Sequence, residues 1–256
     1  MQNLFAVALL LVAMLVDATS VLPGPLRLAA TFSRISDELD HMSLGNCNLA
    51  DANLPLNDTK VKLPNPSSNM SLKYIVLGRG TQNYSCPSSS GSHNSRKTSK
   101  PTATGAAATL FDASCIASKS LTLLHEMPVF IGRTPLGSLA LLAELLTHTT
   151  NSSDLIIGEH YFNAAGDPFF SLTLSGSNAW MVSKKDASVT APKRVSHIAG
   201  DHGDEDVAWL KLSSTEGHDI KEVYRVMTFE GSPPSTCAGQ NDTILVDYAA
   251  EYWFYG

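Results

Sequence analysis

Three groups of side chains in this 256-residue chain are of types that do chemistry at the spacings seen. The first is HIAGDHGDEDVAW, where His197, Asp201, His202, Asp204, Glu205 and Asp206 crowd together. Imidazoles and carboxylates this close offer nitrogen and oxygen ligands to a divalent cation. Their spacing fits no familiar zinc or calcium loop, and acidic residues beside glycines also make solvated turns. The second is GEHYF, with Glu159 beside His160. An imidazole titrates near neutral pH and suits proton transfer. On a strand, however, neighbours point to opposite faces, so one pocket cannot receive both. A catalytic His160 requires an approaching Asp112, Asp167 or Asp247; a histidine hydrogen-bonded within the sheet is the plainer reading. The third group is aromatic: Tyr161, Phe162, Phe169, Phe170, Trp180, Trp209 and Tyr252–Tyr255. Rings on a sheet form a platform for sugars or apolar ligands. In the last strand Tyr252 and Phe254 face one way, Trp253 and Tyr255 the other. One pair belongs to the core and the other is free to bind. Trp253, Tyr255 and Tyr161 are the ligand-binding candidates.

LKYIVLGRGTQNYSC begins as a dinucleotide-binding fold does, with an apolar strand running into Gly78-Arg79-Gly80. That site needs a third glycine and then a helix whose N-terminus meets the pyrophosphate. Here the third glycine is missing and a strand fragment follows. A turn or bulge between two strands, using glycine's wide range of φ, explains the pair better. No G-x-S-x-G elbow, H-E-x-x-H or P-loop is present, and no cofactor is implied. Carboxylate pairs distant in sequence leave no motif, so catalysis is not thereby excluded.

The elements that must position these residues begin with a compartment signal. Leu4–Val16 is an uninterrupted apolar run, too short for a bilayer span of about 20 residues. Followed by Asp-Ala-Thr-Ser, it fits a signal peptide over 1–20. Four cysteines, Cys47, Cys86, Cys115 and Cys237, are an even count that implies two disulfides in three possible connectivities. Asn57, Asn69, Asn83, Asn151 and Asn241 open Asn-x-Ser/Thr motifs, implying glycans on exposed loops. No second long apolar segment suggests a membrane anchor. Charged residues are 16% of the chain and the net charge is -6. The one basic cluster, Arg96, Lys97 and Lys100, sits in a polar loop, so no nucleic-acid partner is expected. The reading is a secreted, extracellular glycoprotein.

Short runs rich in Val, Tyr, Phe and Thr recur from Leu72, each closed by Gly, Pro, Ser or Asn. They predict strands near 72–77, 82–86, 106–112, 155–162, 169–174, 180–183, 208–213, 221–228, 244–248 and 251–255. The class is mainly β, an antiparallel β-sandwich or barrel with one or two short helices in insertions. Leu139, Leu142, Ala143 and Leu146 recur at helical spacing and predict one helix packed on the sheet. Ser36 to Gly45 predicts a short helix, and Pro87 to Gly105 a mobile loop. Residues 21–62 read as an N-terminal extension, and 63–256 as one β-rich domain.

LKYIVLGRGTQNYSC, GAAATLFDASC, GEHYF, AWLKL, KEVYRVMTFEGSPPSTC and YAAEYWFY, in that order, resemble a fungal secreted family catalogued as domain of unknown function 3455. The resemblance runs from about Leu63 to Tyr255. It implies an exported all-β protein without assigned catalytic residues; members are sometimes labelled malate dehydrogenase, a label the failed dinucleotide test does not support. It also implies Cys86–Cys237 as one bridge, which leaves Cys47–Cys115 to tie the extension to the domain. The expected activity is binding, with a cell-wall polysaccharide or host surface component as partner. An extracellular hydrolase using carboxylates or His160, and a structural wall protein, are the alternatives.

Overall fold

A computed structural model describes residues 47–58, 62–86, 98–150, 155–192 and 206–256. The apolar run at 4–16, the helix expected at Ser36–Gly45, Asn151 and the ligand candidates His197, Asp201, His202 and Asp204 lie outside these residues. Eight antiparallel strands close a barrel in chain order. They are β1 Leu72–Ser85, β2 Thr102–Asp112, β3 Ile156–Phe162, β4 Pro168–Ser171, β5 Trp180–Val189, β6 Trp209–His218, β7 Glu222–Glu230 and β8 Thr243–Tyr255. β8 pairs back onto β1 from Leu72↔Tyr255 to Ser85↔Thr243, which closes the ring. Of the two architectures expected, the barrel forms.

Two pairs of expected strands are each one long strand. β1 runs unbroken through Gly78 and Gly80, and β8 through Ala249 and Ala250. The turn or bulge expected at Gly78-Arg79-Gly80 is therefore corrected: the register is continuous there and neither glycine has positive φ. Space is what demands glycine. A Cβ on Gly78 would lie 2.6 Å from the Tyr252 ring, and one on Gly80 would run into the Ala107 carbonyl of β2. The loop expected over Pro87–Gly105 also gives way at its end, because Thr102–Gly105 extend β2.

Between β2 and β3 come α1 Ser114–Lys119, α2 Leu121–Gly132 and α3 Leu136–Thr150. Ser120 separates the first two and caps α2, its side chain accepting from the Leu123 amide at 3.1 Å. Leu123, Leu124, Met127 and Ile131 then fall on one buried face. α2 lays that face on β8, β7 and β1. The helix expected from Leu139 and Ala143 is α3, and those two residues are buried. It is not the main cover, since Leu136, Leu141 and Leu145 stay exposed.

The result is two cores sharing one wall. Alternate residues Val76, Leu110, Phe170, Met181, Leu212, Val223, Tyr252 and Phe254 fill the barrel. The opposite phase, including Ile75, Leu77, Trp209, Tyr224, Val226, Trp253 and Tyr255, packs outside it with Leu123, Leu124 and Ile131. β8 is consequently buried on both faces from Tyr248 to Tyr255. Leu49, Leu54, Leu56 and Leu63 join the outer core. The Cys47–Cys115 disulfide fastens this segment to the helical layer, and Cys86–Cys237 joins the end of β1 to the β7–β8 connection. Both bridges are those the resemblance implied.

Candidate functional site

His160 and Glu159 take opposite faces of β3, as strand alternation requires: His160 is buried inside the barrel and Glu159 is exposed outside. The His160 ring stacks on Phe170 with centroids 4.1 Å apart. Its Nδ1 donates to the Phe169 carbonyl at 2.9 Å, so Nδ1 carries the proton and Nε2 is bare. Burial pushes its pKa down to about 4, the carbonyl acts the other way, and the Arg225 charge lowers it further. Two of the three carboxylates that a catalytic His160 would need are engaged elsewhere, and none hydrogen-bonds to its ring. Asp247 pairs with Arg79 on the outer face at 3.0 Å, and Asp112 accepts from the Ser114 amide. His160 is thus a neutral core histidine.

Further polar side chains share the barrel interior. Arg225 donates to the Ala208 carbonyl from Nε and Nη2, at 3.3 and 2.9 Å, and to Gln82 Oε1 at 3.4 Å. The Tyr248 and Tyr252 hydroxyls share a hydrogen bond of 2.9 Å. Tyr84 donates to the Gly231 carbonyl at 2.7 Å. Burial raises the pKa of Tyr84, Tyr248 and Tyr252, and the Arg225 charge opposes the rise in all three. Apart from Tyr252, one of the aromatic residues of the last strand, none of these residues stands out in the sequence. Gln82 and Tyr84 do share the phase of Gly78 and Gly80, and Tyr248 that of Tyr252. That periodicity is a usable signal only once the inner phase is known.

The outer aromatics divide in two. Trp253 and Tyr255, expected as one exposed face of the last strand, are core residues: the helical layer covers the face they occupy. Trp253 Nε1 donates to the fully buried Glu251, which also meets His125 at 2.9 Å. Tyr161 is different. It lies exposed on the outer face of β3, across from Phe169 of β4, with ring centroids 5.0 Å apart. Phe169 in turn lies 6.0 Å from Trp180 of β5. The three rings form a row over three neighbouring strands, tilted by 41° and 30° at its two contacts. Exposed Glu159, Thr173 and Glu216, with half-buried Ser171, supply polar groups on the same strands and their flank. Ser171 and Thr173 hydroxyls hydrogen-bond each other at 2.9 Å.

Among the described residues no group of three His, Cys, Asp or Glu side chains is placed to hold a metal ion. Asp206, at the edge of the acidic stretch, accepts from the Glu230 amide at 2.7 Å. Asn57, Asn69 and Asn241 are exposed outside the strands. Asn83 is instead half-buried within β1, where it accepts from Thr81. No helix among the described residues is long and apolar enough to cross a membrane.

No curated protein and no solved structure matches the chain. The sequence model of the family described as protein of unknown function (DUF3455) matches residues 66–256, from just before β1 to the last residue. On that match, which spans all eight strands and three helices, the chain belongs to the DUF3455 family.

Proposed function

We propose that the protein is exported and binds polysaccharide on the outer surface of β3–β5, without transforming it. The row Tyr161–Phe169–Trp180 carries this reading. Sugar rings present apolar C–H faces that stack on aromatic rings, and their hydroxyls need polar neighbours at the rim. Here rings 5.0 and 6.0 Å apart stand on the barrel wall, with Glu159 and Ser171 on the same strands and Glu216 on neighbouring β6. Export is supported by the pairing of all four cysteines in disulfides, a state that persists in oxidising compartments. The apolar run at 4–16 and the Asn-x-Ser/Thr motifs agree with it.

Pulldown on insoluble chitin, cellulose and β-1,3-glucan tests the reading. The parent should be retained on at least one of these polymers. Trp180→Ala and Tyr161→Ala should each weaken retention on the order of tenfold, about 1.4 kcal/mol. Absence of retention on every polymer, or retention unchanged in both variants, would count decisively against it. A polysaccharide depolymerised during incubation would point instead to the hydrolase alternative.

A further inference from the structure

Inside the barrel the Arg225 guanidinium is a buried cation with no counter-charge among the described residues. Arg225 is 9% exposed, and no carboxylate of a described residue forms an ion pair with it. Three of its five N–H groups go to one backbone carbonyl and one amide oxygen. Desolvating a charge in this way is unfavourable unless something pairs with it. The neighbouring amide is incomplete too. Gln82 is 9% exposed, and its Nε2 is buried with no hydrogen-bond partner. Native structures rarely leave such a donor empty. Around this pair the Tyr84, Tyr248 and Tyr252 phenols and the His160 ring all feel the Arg225 charge. Two residues along β7 the register shifts between Val226 and Phe229, and Met227 is held at φ 49°. Backbone held in a sparsely populated region of this kind clusters near functional sites.

We infer that the Arg225–Gln82 pair is a binding subsite for the carboxylate group of a small organic acid. The planar fork of a guanidinium matches a carboxylate with two parallel N–H bonds. The Gln82 Nε2 supplies a third donor. In this proposal the acid enters where Arg225, Gln82 and Tyr84 keep a small exposure, since Tyr248 and Tyr252 are fully buried. This subsite is separate from the outer aromatic row, on the opposite face of the barrel wall, and either can fail without the other.

The probes are sodium acetate and sodium benzoate, with inorganic phosphate and chloride at equal ionic strength as comparisons, applied to the full-length, disulfide-bonded protein. Nitrogen-15 NMR of the Arg225 Nε–H, the titration midpoint of His160 and the Tm are followed together. A carboxylate held on Arg225 should move the Nε–H signal saturably, raise Tm, and raise the His160 midpoint by offsetting the guanidinium charge. Gln82→Leu removes the unpartnered amide and should weaken the probe at least fivefold while near-UV circular dichroism stays as in the parent. Arg225→Met should abolish the response. No saturable change with either carboxylate up to 100 mM (about 100-fold above a millimolar Kd) overturns the subsite. So does an equal response in Gln82→Leu, or a response to phosphate or chloride matching that to carboxylate.

Discussion

Acidification should destabilise this protein through His160 before it touches the carboxylates. The ring is neutral in the folded barrel, its pKa pushed down to about 4 mainly by burial, against an ordinary value near 6.5. Between those values the unfolded chain binds the proton and the folded protein does not, so stability falls as pH falls through the window from 6.5 to 4. At about 1.4 kcal/mol per pH unit the full loss is about 3 kcal/mol once the pH is below both values. For a domain of this size that is a fall in Tm of roughly 6–12 °C. The discriminating variant is His160→Asn. Its amide can still donate to the Phe169 carbonyl but cannot take up a proton. It loses ring stacking on Phe170, a penalty that does not change with pH. Urea unfolding of parent and variant at pH 7.0, 5.5 and 4.5 should show the parent losing about 2–3 kcal/mol more than the variant across this range. Parallel pH profiles, or an NMR midpoint for His160 near 6.5, would refute the reasoning. Glu222 gives a separable signature. Burial alone would raise its pKa, but Ser67 and Lys211 together hold it below the usual value. Its contribution is therefore kept above the ordinary carboxylate range and lost only at lower pH.

Four further predictions concern the frame. Arg79 ties the barrel to the end of α2, donating to the Ile131 carbonyl at 3.1 Å and pairing with Asp247 at 3.0 Å. Arg79→Met removes the buried guanidinium's hydrogen bonds to the Ile131 and Gly80 carbonyls and its pairing with Asp247, and should lower unfolding free energy by about 2–4 kcal/mol by chemical denaturation. Gly80→Ala places a methyl against the Ala107 backbone, which cannot rotate away. It should cost about 1–3 kcal/mol or more, with thermal melts as the check, and a neutral result would contradict the close approach of β1 and β2. Trp253→Ala should cost about 3–5 kcal/mol while leaving polysaccharide retention per folded molecule intact, because Trp253 is core. The paired change Cys86→Ser with Cys237→Ser opens a bridge between residues 151 apart in sequence and should remove up to about 5 kcal/mol, measured by urea unfolding without reductant.

Much of this architecture is readable from spacing alone. Alternation of apolar and polar residues, closed by Gly, Pro and Asn, marks the strands because side chains on a pleat alternate with period two. Opposite faces for Glu159 and His160 follow from the same rule. Ser120 and the spacing of Leu123, Leu124, Met127 and Ile131 fit α2, but Pro128 inside it reads as a breaker, so the sequence alone does not lead to a helix there. Without that helix, Trp253 and Tyr255 read as a face free to bind. Without a layer over β8, one face of that strand must be wet; with it, neither is.

What the chain determined by itself is local: strand-forming runs, the phase in which each residue points, and a cysteine count that allows complete pairing. The tertiary structure decided which phase is inside the barrel, which outer face is roofed by α2 and which is left open at Tyr161, Phe169 and Trp180. The reason is physical. Period two is symmetric between the two faces of a strand, and only closure of β8 onto β1 and the landing of a distant helix break that symmetry.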